Sequence, residues 1–260
     1  METAEHTTVE KAADLQNPEP AKADGEASDY APDAEQRRQT YYEESTRRRL
    51  AVEQDSETRL VSDRMNELLK DNGFRLTTAE LQRVHGILFD GVYDHPGTFR
   101  PYNFRKNEWI LDCGSVTYTV FGSIRESLDR AFLQEQAFSY ERLSSAEYVR
   151  HISELAAELW RIHPFCEGNT RVTAVFIAMY LKALGFQLDN GLFAEHAWYF
   201  RNALVRANFS DPRNGIHATT EYLEQFFENL LFGTHHVLKS RRLHVAYQEE
   251  EPNGNTQPPI

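Results

Sequence analysis

The stretch HPFCEGNTR, residues 163–171, is the most informative part of this chain because it places several reactive groups in one short loop. His163 supplies an imidazole, Glu167 a carboxylate and Arg171 a guanidinium, and the glycine and asparagine between them favour a turn. The following run VTAVFIAMYLKALG, residues 172–185, is apolar, has the length of a helix and ends in glycine. The loop therefore leads directly into a buried helix.

The start of that helix is suited to binding an anion. The first backbone N–H groups of a helix lack internal partners and lie at the positive end of its dipole, so the turn at residues 168–170 offers a phosphate cradle. Arg171 can hold phosphate oxygens, and Glu167 is an oxygen ligand of the kind that Mg²⁺ uses together with substrate phosphates. An unperturbed imidazole pKa of about 6.5 suits His163 to removing a proton from a hydroxyl near neutral pH.

These residues closely resemble the signature HPFx(D/E)GNGRxxR of the Fic domain family. The resemblance implies an all-α enzyme that uses ATP and Mg²⁺, or Mn²⁺ in its place, to transfer AMP to a Ser, Thr or Tyr hydroxyl of a target protein or of its own chain. It implies that His163 is the general base and that Glu167 is the metal ligand. It also implies a nucleotide-binding cradle made of Gly168, Asn169, Thr170 and Arg171.

Two positions depart from the signature. Thr170 stands where the family usually has glycine, and Ala174 stands where it usually has a second arginine that holds the γ-phosphate of ATP. Alternatives to AMP transfer therefore stay open: removal of AMP from a modified protein, transfer of another phosphate-linked group, or nucleotide binding without turnover in a regulator. Arg201 and Arg206 are the candidates for a substitute cation.

The resemblance extends over about residues 77–244. Residues 97–120 resemble the family's arginine-containing segment and its β-hairpin flap, because two β-prone runs flank turn residues there. The resemblance implies that the flap pairs with the backbone of the target protein and presents its hydroxyl to the base. The flap residues expected to dock the target are Trp109, Ile110 and Leu111.

Two further segments resemble parts of the family. Residues 197–209 resemble the helix that closes the adenine site, which implies nucleoside contacts from Tyr199 and Asn208, although Tyr199 in its aromatic cluster can equally belong to the core. Residues 220–233 resemble an inhibitory helix of pattern (S/T)xxxE(G/N), which implies that Glu228 is a regulatory residue. The alternative is an amphipathic helix with Glu228 in solvent that packs Leu223, Phe226, Phe227, Leu230 and Leu231.

Composition predicts one catalytic domain at residues 39–245, with an N-terminal helical extension and flexible acidic tails at 1–38 and 246–260. Residues 1–36 carry ten acidic and two basic residues, and three glutamates at 249–251 add to a net charge of −12 over 260 residues. The folded part is therefore close to neutral, and we expect neither nucleic acid nor a membrane surface as a partner.

The remaining sequence signals concern location and helix boundaries. The acidic N-terminus, the short apolar runs and two cysteines without redox or metal spacing predict a cytoplasmic protein. Oligomeric state and target protein stay open. Helices are predicted at 40–70, at 124–137 and at 222–231, and capping-box spacing predicts helix starts at Thr77 and Ser144.

Overall fold

The computed structural model describes residues 54–188 and 191–246, and within these ranges the chain is helical and contains no strand. The expectation of an all-α fold is therefore confirmed for the described residues. The predicted acidic tail at 1–38, the start of the first predicted helix at 40 and nearly all of the predicted C-terminal tail lie outside them. The α-helices are α1 (Gln54–Lys70), α2 (Thr78–Phe89), α3 (Ile124–Gln136), α4 (Ser145–Ile162), α5 (Asn169–Ala183), α6 (Gly191–Glu195), α7 (Ala197–Ala207) and α8 (Glu221–Phe232).

Two of the helix starts follow from their caps. Ser144 and Glu147 form a complete capping box, because the Ser144 hydroxyl accepts from the Glu147 N–H at 3.3 Å and the Glu147 carboxylate accepts from the Ser144 N–H at 2.8 Å. Thr77 forms half of such a box: its hydroxyl accepts from the Glu80 N–H at 3.2 Å, whereas the Glu80 carboxylate binds Arg83 at 2.7 Å. Both predicted helix starts are confirmed.

Helices α4 and α5 form the centre of the fold. Helix α5 packs against α1, α2 and α4, and α4 also packs against α3, α7 and α8. The core faces of both helices are apolar, and Ile162 at the end of α4 and Val172 in the first turn of α5 are almost fully buried. The loop between the two helices is therefore anchored at both ends in the core.

Helix α8 packs its apolar face against α4 and α7, as the amphipathic interpretation of this segment predicts. Four of its side chains are buried and Leu231 is partly buried against the core. Phe226 contacts Phe200 of α7 with ring centroids 4.9 Å apart, and it contacts Phe193 of α6 at 5.0 Å. Aromatic packing thus joins the three C-terminal α-helices.

The predicted β-hairpin flap is not formed by the described residues. Trp109–Leu111 is a 3₁₀-helix, and pairing around it is limited to one isolated antiparallel bridge between Asn107 and Ser115. The Glu108 N–H donates to the Gly114 carbonyl at 2.9 Å, which closes the segment into a short loop. The prediction of β-strands at 109–111 was therefore wrong.

The physical reason is burial of two of the three residues. Ile110 is fully buried and Leu111 is 4% exposed, whereas Trp109 is 49% exposed. The Ile110 carbonyl accepts a hydrogen bond from the Val245 N–H at 2.8 Å. An edge strand offers its backbone to a partner, whereas this backbone carbonyl already binds another part of the chain.

None of the helices in the described part of the chain combines the length and the hydropathy that a membrane span requires.

Candidate active site

A cavity of about 390 Å³ lies over the loop between α4 and α5. Its wall is formed by this loop, by the segment from Phe104 to Tyr118 and by the start of α7. It brings together six of the residues that the sequence singled out: His163, Glu167, Gly168, Asn169, Thr170 and Arg171.

His163 forms the end of α4 and turns the chain into the loop. Its backbone is left-handed, with φ of 50° and ψ of 59°, and its side chain is 8% exposed. The ring lies 4.2 Å from the Tyr118 ring and 5.4 Å from the Phe104 ring, measured between centroids. The imidazole therefore occupies an aromatic niche at the cavity wall.

The surroundings of His163 keep its imidazole neutral and fix its tautomer. Burial lowers its pKa well below the ordinary 6.5, and the positive charges of Arg100 and Lys106 lower it further. Its Nδ1 lies 3.2 Å from the Trp160 carbonyl. Because a carbonyl can only accept, Nδ1 carries the proton and Nε2 carries the lone pair. A neutral imidazole with an unprotonated Nε2 is the form that can accept a proton.

Arg100 stabilises the loop through hydrogen bonds to main-chain carbonyls. Its side chain is 2% exposed and donates to the carbonyls of His163 at 2.7 Å, Tyr102 at 2.5 Å and Thr119. Its own N–H donates to the Pro164 carbonyl at 2.8 Å. This residue was missed as a functional position, because its partners are main-chain carbonyls and leave no pattern in the sequence.

The side chain of Asn169 closes the loop on itself. Its Oδ1 accepts from the Phe165 N–H at 3.0 Å, and its Nδ2 donates to the Phe165 carbonyl at 2.7 Å. Phe165 is fully buried and anchors the loop in the core. The side chain of Asn169 therefore shapes the loop, and its backbone N–H at the start of α5 is one of the groups that an anion would meet.

The residues on either side of Asn169 pack closely against neighbouring side chains. Gly168 has φ of 74°, and a Cβ at this position would lie 2.5 Å from a ring carbon of Phe89, so only glycine fits. The Thr170 hydroxyl, which replaces the usual glycine of the signature, accepts from the Trp160 indole N–H at 3.0 Å. The departure at Thr170 thus ties α5 to α4.

A second buried imidazole, His85 of α2, contacts the other end of the loop. Its Nδ1 accepts from the Gly97 N–H at 2.8 Å, and its Nε2–H donates to the Glu167 carbonyl at 3.1 Å. The ring stacks on Phe165 with centroids 3.8 Å apart, and burial lowers its pKa to about 4. Sequence reasoning missed this residue, since it lies on an ordinary amphipathic helix.

The side chain of Arg171 already contacts three neighbours. Its Nη1 lies 3.4 Å from Oε1 of Glu57 in α1, its Nη2 donates to the Tyr93 hydroxyl, and its guanidinium lies 4.7 Å over the Phe89 ring. The side chain remains 36% exposed. The N-terminal helix thus places a carboxylate next to the predicted phosphate cradle.

A buried ion pair forms another part of the wall. Glu108 is 1% exposed, and its Oε2 accepts from Nη2 of Arg201 at 2.6 Å, whereas its Oε1 is buried without a hydrogen-bond partner in the described structure. The Arg201 guanidinium lies 5.6 Å over the Trp198 ring, which is 64% exposed. Arg201 was one of the two substitute cations considered from the sequence, and it does line the cavity.

Residues 75–181, which contain the loop, Arg100, Glu108 and His163, match the sequence model of the Fic/DOC family. Residues 75–181 therefore form a Fic domain. It is 29% identical over 155 residues to a probable protein adenylyltransferase of Sinorhizobium fredii, with 58% of this chain and 74% of the relative covered.

Solved structures of Fic proteins share the fold. The BepC effector of Bartonella tribocorum with bound AMPPNP gives a TM-score of 0.54 at 17% identity, with 68% of this chain and 84% of that chain covered. An N-terminal Fic domain of a VirB-translocated effector from Bartonella quintana with bound ADP gives 0.54 at 18% identity, with 68% and 83% covered. At these identities the likeness concerns the fold alone.

Two residues predicted to contact the nucleoside do not line the cavity of this Fic domain. Tyr199 is 2% exposed, its hydroxyl donates to Oε1 of Gln225 at 3.1 Å, and burial raises its pKa. Nδ2 of Asn208 donates to the carbonyls of Ala157 at 3.0 Å and Leu204 at 2.9 Å. The core interpretation of Tyr199 agrees with this placement, and Asn208 terminates α7.

Two other positions discussed from the sequence also lie outside the cavity wall. Glu228 lies on the outer face of α8, where its Oε2 is 2.5 Å from Nε2 of His236. Ala174 is 7% exposed and packs in the core along α5. Glu228 therefore has the position expected of a surface residue on an amphipathic helix, and Ala174 leaves its place in the signature without a cation.

The residues of this Fic domain fit Mg²⁺ only together with a substrate. The described ranges contain no group of three or more His, Cys, Asp or Glu side chains that could hold a metal ion. Glu167 brings one carboxylate to the cavity. Mg²⁺ commonly binds through one or two carboxylates, water and substrate phosphates, so one glutamate beside an anion cradle is a suitable donor set.

Proposed function

We propose that this protein is an ATP- and Mg²⁺-dependent protein adenylyltransferase that transfers AMP to a hydroxyl side chain of a target protein. The observation that carries the proposal is the neutral His163, which has its proton on Nδ1 and lines the same cavity as a helix N-terminus and Arg171. The relative in Sinorhizobium fredii bears the name of this activity, and the Bartonella structures hold ATP-like nucleotides.

Each group of the loop has a role in this reaction. Nε2 of His163 takes the proton of the target hydroxyl as its oxygen attacks the α-phosphorus. The new oxygen–phosphorus bond forms while the bond to pyrophosphate breaks, and pyrophosphate leaves. Arg171 and the N–H groups at residues 168–170 stabilise the developing charge on the phosphates. Glu167 would hold Mg²⁺, which when bound neutralises phosphate charge. Such a transfer depends mainly on positioning and electrostatics.

Glu108 would select the base of the nucleotide. A buried carboxylate oxygen without a partner calls for a hydrogen-bond donor, and the exocyclic amine of adenine is such a donor. The exposed ring of Trp198, in the same wall, offers an aromatic face for stacking. This pair replaces Tyr199 and Asn208 as the proposed nucleoside contacts.

Removal of AMP from a modified protein is a second candidate, favoured by one observation. Ala174 provides no cation where the signature usually has its second arginine. A site without this arginine grips a γ-phosphate less firmly, whereas AMP attached to a protein has no γ-phosphate to hold.

The deciding experiment uses ATP labelled at either the α- or the γ-phosphate, in Mg²⁺ and in Mn²⁺, with a bacterial lysate as the source of targets. The proposal expects protein-bound label from the α-position alone and none with His163→Ala. Label from the γ-position alone would mean phosphorylation. Label from neither position, with release of AMP from a pre-adenylylated protein, would support the second candidate.

A further inference from the structure

A second cavity, of about 360 Å³, lies between α7, α8 and the C-terminal 3₁₀-helix Ser240–Leu243. It shares no lining residue with the cavity above His163. Its wall combines apolar residues, among them Val237, Leu243 and Val245, with polar and charged residues. Nothing in the proposed adenylyl transfer uses it.

Arg206 is the unusual member of this wall. Its Nε and Nη1 atoms are buried and have no hydrogen-bond partner in the described structure. The guanidinium lies 6.0 Å over the ring of Tyr222, a contact that covers its face and leaves the in-plane N–H donors unused. An arginine stays charged in proteins, and buried charged donors without acceptors are costly. The position therefore calls for an acceptor that is absent from the described residues.

The charges around the cavity indicate which acceptor fits. Arg206, Arg242 and His244 line it, and Glu221 is the one carboxylate among the described lining residues. Because the charged Arg206 has buried donors without an acceptor, an anion is favoured over a neutral acceptor. Guanidinium groups match phosphate and carboxylate oxygens in geometry as well as in charge.

We propose that this cavity binds an oxyanion, a phosphate or carboxylate group, against the guanidinium of Arg206. Two sources can supply this chemistry. One is a small free anion from solution. The other is the chain itself, because Glu249, Glu250 and Glu251 follow the cavity residue Val245 by four to six positions in the sequence.

The test measures binding of radiolabelled inorganic phosphate to the full chain by equilibrium dialysis. The catalytic cradle also attracts phosphate, so the comparison is made between Arg206→Gln and Arg171→Gln, which each remove one cation from one cavity. Arg213→Gln is the matched control, because Arg213 is exposed and lines neither cavity. If the Arg206 site is open to a free anion, we expect two sites in the wild type and in Arg213→Gln. Arg206→Gln should weaken one site by about tenfold or more, since a charged hydrogen bond is lost.

The source of the oxyanion is distinguished by replacing Glu249, Glu250 and Glu251 together with Gln. If phosphate reaches the Arg206 site in the wild type, the site is open to a free anion. If it does so only in the triple variant, the chain's own carboxylates are the occupant. Unchanged phosphate binding after Arg206→Gln, in both the wild-type and the triple-variant background, would overturn the proposal. Should Arg206→Gln fail to fold by circular dichroism, Arg242→Gln carries the same comparison.

Discussion

The loop at residues 163–168 has a buried imidazole at each end, and the two ends differ in how many ring nitrogens the protein uses. His85 has both nitrogens bound to backbone groups, the Gly97 N–H and the Glu167 carbonyl. His163 has Nδ1 bound to the Trp160 carbonyl and lines the cavity. Burial lowers the pKa of both residues.

A depressed pKa therefore does not by itself identify a catalytic histidine. Both buried imidazoles titrate below their usual range for the same main reason, which is desolvation. What separates them is that His163 lines the cavity next to the predicted anion cradle and has an unprotonated Nε2. We therefore expect changes at His163 to affect chemistry and changes at His85 to affect stability.

The largest expected effect is on catalysis. His163→Ala should slow AMP transfer by about 10²–10⁴-fold, the usual contribution of a general base, while ATP binding changes by less than about twofold. Single-turnover labelling at saturating ATP measures the rate, and calorimetry measures the affinity. Transfer at the wild-type rate would remove His163 from the mechanism.

The next effect is on stability. His85→Ala should lower the free energy of unfolding by about 2–4 kcal/mol, because it removes the stacked ring on Phe165 and leaves two backbone groups without partners. Urea denaturation followed by circular dichroism gives this value. His163→Ala is the comparison, and an equal loss of stability in the two variants would contradict the division of roles.

The lowered pKa of His85 also makes the stability of the protein depend on pH. The pKa of His85 is about 4 in the folded state, compared with about 6.5 in an unfolded chain. The folded state therefore binds fewer protons between these values, so this stability is full above about pH 6.5 and is lost as pH falls towards about pH 4, by at most about 3 kcal/mol. His163 acts in the same direction.

Unfolding by urea at about pH 7 and about pH 5 tests this linkage. His85→Gln provides the control, because an amide can form hydrogen bonds with the same neighbours but does not titrate. The variant should lose less stability on acidification than the wild type. An identical loss in both proteins would show that His85 is not the titrating group.

A smaller effect is expected on the Mg²⁺ dependence, through the proposed metal ligand Glu167. Glu167→Gln should raise the Mg²⁺ concentration for half-maximal labelling by about tenfold, because it removes the charge of the proposed ligand and keeps its shape. Asp112→Gln changes an exposed acidic residue that lies outside the cavity wall and serves as the control. An unchanged Mg²⁺ titration in Glu167→Gln would leave this residue without a metal role.

The smallest effect is expected beside the cradle. Glu57→Gln should tighten ATP binding by about two- to fivefold, because a negative charge near the phosphates is removed and Arg171 is released. Glu67→Gln, at an exposed position of the same helix, should leave the affinity unchanged. Weaker ATP binding in Glu57→Gln would mean that Glu57 positions Arg171 instead of competing for it.

Local signals made much of the fold and the loop predictable. The capping residues of α4, the apolar character of α5 and the signature between them are contiguous in the chain, so their chemistry can be read directly. The residues that support the loop could not be found in this way. Arg100 binds His163 across 63 positions, His85 binds Glu167 across 82, and Glu57 binds Arg171 across 114.

The proposed nucleoside contact Trp198 shows a second limit of sequence reasoning. Trp198, Tyr199 and Phe200 are consecutive aromatic residues, and successive helical positions differ by about 100°. An unbroken aromatic run does not reveal which of its members faces the core. The structure buries Tyr199 and Phe200 and turns Trp198 to the cavity, and this rotation also brings Arg201 to Glu108.

Long-range nitrogen–proton NMR of the ¹⁵N-labelled protein shows directly whether His163 presents a neutral imidazole with an unprotonated Nε2. His163→Ala and His85→Ala identify the two sets of signals. At about pH 7 we predict opposite tautomers, with the proton on Nδ1 of His163 and on Nε2 of His85. A proton on Nε2 of His163, or an imidazolium at this pH, would rule out His163 as the base that takes the proton of the target hydroxyl.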